Sequence, residues 1–338
     1  MKVLVNGIGN IGTTLVNVLK EYQDVLGIDE VHACKRTIES WHETDLEKLT
    51  EKGVKICTSG NHKGYPQLGN ILPQINYIFE ATANGVGIRN KERYAKLPNL
   101  IGACAQGSEK GFGISFMSGV NNDLIKGQKF VHIVSCNTHG SAALLKLFCG
   151  DELENLKQAD MVVVRRSEDI SNHQRLVSAN VVARHLNAEN GTHHSIDVVD
   201  MFKANGIPCN LTSSDITTPS QLMHAVRFNI ETKHPILKEE VLDRLLKNKL
   251  LASTQKFDSN VIFELGRKYG YLGRIYAHAI VLTNNILFEP NQVKGWAFVP
   301  QEGNSILSSI HAFLLQTKHL DEDKIYGEMV KSLCRDQW

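Results

Sequence analysis

The opening of the chain constrains its fold more than any other stretch. Lys2-Val-Leu-Val-Asn6 reads as a short buried strand, and Gly7-Ile-Gly-Asn-Ile-Gly12 follows it directly. Leu15, Val18, Leu19, Tyr22 and Leu26 then recur at helical spacing. A strand, a G-x-G-x-x-G turn and a helix in immediate succession begin a parallel, doubly wound sheet. Gly7 permits the tight turn, Gly9 lets the backbone approach a pyrophosphate, and Gly12 lets helix and strand pack closely. The pyrophosphate would rest on the helix N-terminus, where unbonded N–H groups and the dipole favour an anion. The bare pattern also occurs in glycine turns that hold no ligand; the strand–turn–helix setting favours a dinucleotide.

Apolar runs at 31–34, 53–57, 77–81, 100–105 and 130–134, with helical stretches between several of them, extend this sheet over residues 1–135. The second half reads differently. Longer strands are expected at 161–166, 195–202, 224–231 and 274–282, with helices at 139–149 and 236–251. The later helix carries Leu237, Val241, Leu242, Leu245 and Leu246 on one side. Long strands with few helices predict an antiparallel or mixed sheet covered on one face. From about 304 to 334 the pattern is helical, with Ile306, Ile310, Phe313 and Leu314 spaced for burial. A chain of 338 residues suits two domains, and no Pro/Gly-rich linker separates them.

A formal net charge of +1, with no like-charge tail, gives no electrostatic footprint of a nucleic-acid binder. The seven cysteines include no C-x-x-C and no spacing typical of a metal site, so reduced thiols, no metal and a cytoplasmic location are expected. No run of 18 apolar residues predicts a membrane span, and no signal core precedes the first strand.

The second strand of such a sheet ends beside the adenosine ribose, where an acidic residue selects an unphosphorylated 2′-hydroxyl. Here it ends Cys34-Lys35-Arg36. Two cations there favour a 2′-phosphate, so NADP use is predicted, Lys35 being the contact, with NAD also accepted. A solvated basic loop is the alternative.

The sharpest local signal is Val134-Ser-Cys-Asn-Thr-His-Gly140, where a β-rich run gives way to a helical pattern. Cys136 falls at the helix N-terminus, an environment that raises the thiolate fraction and suits a nucleophile. By position alone a small buried cysteine is an equal alternative. The other six cysteines lack this context and read as structural.

Ser135-Cys136-Asn137-Thr138 with the following glycine resembles the catalytic motif of glyceraldehyde-3-phosphate dehydrogenases, most of all the archaeal branch. The resemblance runs in matching order along nearly the whole chain: Val5-Asn-Gly-Ile-Gly-Asn-Ile-Gly12, Gln106-Gly-Ser-Glu-Lys110, Val162-Val-Val-Arg-Arg166, Thr192-His-His-Ser-Ile-Asp-Val-Val199, Leu222-Met-His224, Phe263-Glu-Leu-Gly-Arg267 and Gln301-Glu302. It implies that Cys136 attacks an aldehyde, that hydride passes to the nicotinamide to leave a thioester, and that inorganic phosphate releases an acyl phosphate. His224 is implied as the base. Ser135, Asn137, Thr138, Arg165, His193 and His194 are implied at the substrate. Asn10, Ile11, Gly107, Arg166 and Gln301 join Gly7, Gly9, Gly12 and Lys35 at the cofactor. On an alternating strand only one of Arg165 and Arg166 faces the cleft, and extended His193 and His194 would diverge, which argues against a shared metal. A homotetramer is implied as well.

The fold class expected is therefore α/β: a Rossmann-type parallel-sheet domain at 1–135, an α+β catalytic domain with a mainly antiparallel or mixed sheet at 136–303, and a C-terminal helical segment at 304–338 packing back on the N-terminal domain. Departures from the family pattern are His139 in place of a threonine, Ser108 in place of a second glycine, Val226 where another histidine is frequent, and a longer loop around Asn172-His-Gln-Arg175. His139 bears on the shape of the phosphate pocket and would place a histidine, a residue type able to respond to pH, beside it. Aspartate-semialdehyde dehydrogenase shares the domain plan and the thiol. A non-catalytic NAD(P)-binding sensor would need neither Cys136 nor His224.

Overall fold

The computed structural model describes residues 1–107, 109–167, 181–219, 222–300, 302–319 and 321–338. Two compact units result. Met1–Ser118, Asn122–Ile133 and Ser308–Tyr326 form the first; Gly119–Asn121, Val134–Leu307 and Gly327–Trp338 form the second. No described helix is long and apolar enough to cross a membrane.

The first unit alternates strand and helix: β1 (Lys2–Asn6), α1 (Asn10–Glu21), β2 (Glu30–Cys34), α2 (Ser40–Glu51), β3 (Lys55–Cys57), α3 (Leu68–Ile71), β4 (Tyr77–Glu80), α4 (Val86–Ala95), β5 (Gly102–Gln106), β6 (Ile114–Phe116) and β7 (Phe130–Ile133). The sheet order is β3-β2-β1-β4-β5-β7-β6, and every pairing is parallel. From β1 the chain runs outward to β3, then returns to place β4 on the other side. The crevice at the carboxyl ends of β1 and β4 is thus the switch point at which ligands of open α/β sheets bind. The inner strands read as continuous apolar runs because both faces are covered: Val3, Leu4, Val5, Ile78 and Phe79 are all fully buried.

The second unit contains α5 (Cys136–Cys149), β8 (Leu156–Arg165), β9 (Val181–Val182), α6 (His193–Ala204), β10 (Leu211–Thr217), β11 (His224–Thr232), α7 (Lys238–Lys247), β12 (Leu251–Thr254), α8 (Ser259–Tyr269), β13 (Ala279–Leu282), β14 (Leu287–Glu289) and β15 (Gln292–Val299). The strand order is β12-β13-β15-β11-β8-β10-β9, with β14 on β15. The sheet is mixed: β8 pairs antiparallel with β11 but parallel with β10. Along β11 burial alternates residue by residue, so one face meets the core. Helix α5 lies on that core and buries Leu144, Leu145, Leu147 and Phe148, worth roughly 1.5–3 kcal/mol each.

Several expectations change here. The strand expected at 195–202 is helix α6. Ile196, Val198 and Val199 suggest β structure, but His194, Val198, Met201 and Phe202 form one buried helical stripe. The helix expected at 236–251 stops at Lys247, and its last residues begin β12; the strand expected at 274–282 shrinks to β13. The C-terminal stretch is two helices, α9 (Ile306–Gln316) and α10 (Glu322–Leu333). In the first unit the Phe313 ring of α9 lies 4.9 Å from that of Tyr77, and the Tyr77 hydroxyl donates to Gln316 Oε1 at 2.6 Å.

Two buried histidines make stability sensitive to acid. In the first unit His311 stacks on Tyr326 at 3.9 Å and lies 2.7 Å from the Ser118 hydroxyl through Nδ1. Burial, with Lys126 adding repulsion and Asp323 opposing, pushes it down to about 4. In the second unit burial, then His139 and Lys146, drive His278 well below its ordinary value. An unfolded histidine titrates near 6.5, so the unfolded chain takes up more protons below that pH. Stability is complete above about pH 6.5 and falls by about 1.4 kcal/mol per pH unit per histidine as pH drops towards the folded values. Denaturant midpoints measured from pH 7 to 4.5 check this. His311→Gln should flatten the slope, and midpoints that stay level down to pH 5 would refute the buried neutral form.

Candidate active site

In the first unit the glycine loop forms the turn that its sequence requires. Gly7 has φ +102°, donates to the Cys34 carbonyl at 3.0 Å, and leaves no room for a side chain: a Cβ would lie 2.6 Å from the Ala81 oxygen. At Gly12 a Cβ would fall on the Gly7 carbonyl. Gly9, the residue before α1, is open on its outer side, with nothing within 4 Å of a Cβ position. Asn10 and Ile11 occupy the first turn of α1, which holds no acidic residue. This open cradle of N–H groups fits the pyrophosphate of a dinucleotide.

Lys35 leaves β2 and returns over the loop, donating through Nζ to the Ile8 carbonyl at 3.1 Å. Its own carbonyl is held by the Thr58 hydroxyl at 2.8 Å. Burial lowers its pKa against the opposing pull of Asp45 and Glu39. Gly107, at φ +51°, is likewise open, and His132 Nε2 donates to its carbonyl at 2.7 Å. Gln301, Ser108 and the loop around Asn172 lie outside the described residues.

Sequence reasoning missed the lock beside this loop. Glu80 ends β4 fully buried and accepts from Asn6 at 2.9 Å, from the Tyr94 hydroxyl at 2.5 Å and from Asn90 at 3.1 Å. It also takes the Thr82 N–H at 3.2 Å. One carboxylate thus pins both chain segments that leave the switch point. A lone acid in an apolar strand, Tyr77-Ile-Phe-Glu80, was the signal available.

In the second unit Cys136 is the first residue of α5 and half-buried. Ser135 caps the helix, accepting the Thr138 N–H at 3.3 Å, and the two hydroxyls lie 2.8 Å apart. Asn304 Nδ2 donates to the Cys136 carbonyl at 2.9 Å. The cap and this clamp hold the thiol at the positive end of a rigid helix. No disulfide joins the seven cysteines. Burial pushes Cys104, Cys149, Cys209 and Cys334 up to about 12. The contact with Cys34, then burial, raises Cys57. Cys34 is lowered, by its contact with Cys57, and it is 1% exposed.

His224 opens β11. Gly140, one turn beyond Cys136, abuts Val299, the cross-strand partner of His224, so α5 and this histidine share one neighbourhood. The Arg166 backbone N–H donates to His224 Nδ1 at 3.0 Å. With Nδ1 accepting, the neutral ring carries its proton on Nε2. Burial, then Arg166, His194 and Arg165, hold the ring far below its usual pKa, hence neutral. In this tautomer Nε2 is a donor.

Arg165 and Arg166 part company at the end of β8. Arg166 is buried and bonds Glu302 at 2.8 Å, and Arg274 reaches the other Glu302 oxygen at 3.5 Å. Arg165 stays one-third exposed and approaches Asp215 at 3.4 Å. Asp215 is fully buried; burial alone would raise its carboxyl, but His194, Arg165 and His193 outweigh it and hold it low. His193 and His194 start α6 rather than sitting in a loop before a strand, and their rings stand 3.8 Å apart. Desolvation, then His194, bring His193 to about 4. His139 turns inward: Nδ1 donates to the Ser135 carbonyl at 3.0 Å and the ring meets His278 at 5.0 Å. It is fully buried and packs the start of α5. Val226, fully buried on β11, is core. Asp215 and Asn304 escaped sequence reasoning because β10 itself was unrecognised and the turn after β15 carries no periodic signal; Glu302 was quoted only as a landmark of the resemblance, without its ion pairs.

A parallel Rossmann-like sheet with a glycine cradle, and a mixed sheet beside a thiol on a capped helix, define an α/β protein. No family model matches the chain. Glyceraldehyde-3-phosphate dehydrogenase of Pyrococcus abyssi is 28% identical, with 98% of each chain covered. That of Sulfurisphaera tokodaii is 25% identical over 92% of this chain and 91% of its own, and that of Sulfolobus acidocaldarius 24% over 96% and 94%. The chain is a distant homologue of the archaeal glyceraldehyde-3-phosphate dehydrogenases over nearly its whole length, a divergent member of that family.

Proposed function

We propose that the chain is a phosphorylating aldehyde dehydrogenase that oxidises glyceraldehyde 3-phosphate and releases 1,3-bisphosphoglycerate. The observation that carries this reading is Cys136 at the first position of a capped, clamped helix, in the neighbourhood of a neutral histidine whose donor nitrogen is fixed. The thiolate adds to the aldehyde carbon and yields an oxyanion directly. His224 Nε2–H stabilises that charge, so no general base is required for hydride loss. NAD(P), when bound, supplies the hydride acceptor. The thioester left on Cys136 is attacked by inorganic phosphate, and the thiolate departs. Arg165, His193 and His194 are the proposed holders of the substrate's phosphate, with Asn137 and the Ser135–Thr138 cap beside the reacting carbon. Gln301 and Arg166 are proposed at the nicotinamide end. A homotetramer in the cytoplasm is part of the same proposal.

The test is reduction of NADP and NAD by the purified protein with glyceraldehyde 3-phosphate, with and without inorganic phosphate. Phosphate-dependent reduction that disappears on alkylation of Cys136 supports the reading. A folded protein that binds NADP yet reduces it with no phosphate dependence would overturn the acyl-phosphate step.

Lys35 tests the choice of cofactor. A charge-assisted bond to a 2′-phosphate is worth about 1.5–3 kcal/mol, so Lys35→Ala should weaken NADP about 10- to 100-fold while changing NAD little. Equal losses in a fluorescence titration would assign Lys35 to bracing the loop through Ile8 instead.

A further inference from the structure

The geometry points to a divalent transition-metal site at His193, His194 and Asp215, suited to a zinc-like ion. The three residues offer one nitrogen or oxygen each, and these atoms lie within 4.8 Å of one another. His194 Nε2 and Asp215 Oδ2 are already 3.5 Å apart. Zinc–nitrogen and zinc–oxygen bonds of 2.0–2.2 Å in a tetrahedron place ligand atoms about 3.3–3.6 Å apart. One pair therefore has the required spacing, and rotation of the His193 ring closes the rest. On an extended chain the two rings would diverge. On helix α6 the adjacent rings stand side by side, 3.8 Å between centroids, and that objection falls.

A second observation is independent of the spacing. His194 is 3% exposed and Asp215 fully buried, yet neither ring nitrogen of His194 nor Asp215 Oδ1 has a hydrogen-bond partner among the described residues. Buried polar atoms left without partners are expensive and rare. An ion between His194 Nε2 and Asp215 Oδ2 supplies the missing partner for that nitrogen. Two imidazoles with one carboxylate suit Zn²⁺ or Co²⁺ and leave a fourth position open. Exposed His193 gives the ion its way in. Arg165 opposes it: its guanidinium lies 3.4 Å from Asp215 Oδ2 and repels a cation there. The same cation would favour an anion, so Arg165 distinguishes the two occupants. The metal can be tested without the dehydrogenase reaction, and an ion held here would compete with the substrate phosphate proposed for His193, His194 and Arg165.

The experiment uses chelator-treated full-length protein carrying Cys136→Ser, to remove the exposed-side thiolate, titrated with Co²⁺ by visible absorption and with Zn²⁺ by calorimetry. One equivalent with nitrogen/oxygen-type d–d bands is expected. His193→Gln, at an exposed position that tolerates substitution, should weaken binding at least 10-fold, as should Asp215→Asn, and Arg165→Gln should tighten it. Absence of saturable binding, or binding indifferent to His193→Gln, overturns the site. No saturable metal binding in the parent, alongside binding of inorganic phosphate that is lost in Arg165→Gln, would make the cluster an anion site only.

Discussion

Replacing Cys136 with serine is expected to lower turnover by about 10⁴-fold or more while leaving the dissociation constant for NADP within twofold. The size of the loss follows from the histidine beside it. A hydroxyl is a poor nucleophile unless a base takes its proton, and His224 has none to offer: Nδ1 accepts the Arg166 N–H, and Nε2 is protonated. A thiol needs less help, because the N-terminus of α5 favours its anion. The cofactor cradle is built in the other unit from Gly7, Gly9 and Gly12, and the substitution touches none of its bonds. Steady-state rates and a fluorescence titration on the same sample check both halves. Turnover within tenfold of the parent would remove Cys136 from the chemistry.

Glu302→Gln is expected to lower the unfolding free energy of the second unit by about 3–5 kcal/mol. The carboxylate is 5% exposed and faces Arg166, itself 2% exposed, at 2.8 Å, with Arg274 on its other oxygen. Glutamine keeps the shape and removes the charge that faces the buried guanidinium. Glu302 also holds φ +72°, a left-handed conformation costly for a side-chain-bearing residue, which the ion pairs keep in place. Removing both partners should cost less than removing one, so Glu302→Gln with Arg166→Met should recover part of the loss. Denaturant unfolding measures it. A decrease below about 1 kcal/mol for the single change would show that the pair is screened and contributes as little as a surface bridge.

Much of the first unit was legible because its signals are local. Gly7, Gly9 and Gly12 fix a turn by excluding side chains, and strands buried on both faces leave apolar runs that need no partner to be recognised. In the second unit, one-sided burial weakens the signal. Residues 195–202 are rich in β-branched side chains, and only the stripe from His194 to Phe202 reveals the helix, a pattern that competes evenly with alternation over eight positions. Cys136 and His224 were found through motif and resemblance. What ties them into one neighbourhood is the packing of Gly140 against Val299, a contact between distant segments that leaves no trace in either. Asp215 and Glu80 were invisible for the same reason, as were the ion pairs of Glu302: a buried acid announces itself only through the partners that the fold brings to it.

The proton on His224 is placed by a main-chain donor, and this has a consequence for how the chain tolerates change. An amide N–H is common to nineteen of the twenty residue types, so the side chain at 166 can be exchanged without moving that proton, provided the strand end keeps its course. Only proline would withdraw the donor outright. The tautomer is thereby inherited from the backbone path rather than from any particular side chain. The two functions of position 166, counter-ion of Glu302 and anchor of His224, are open to separate alteration.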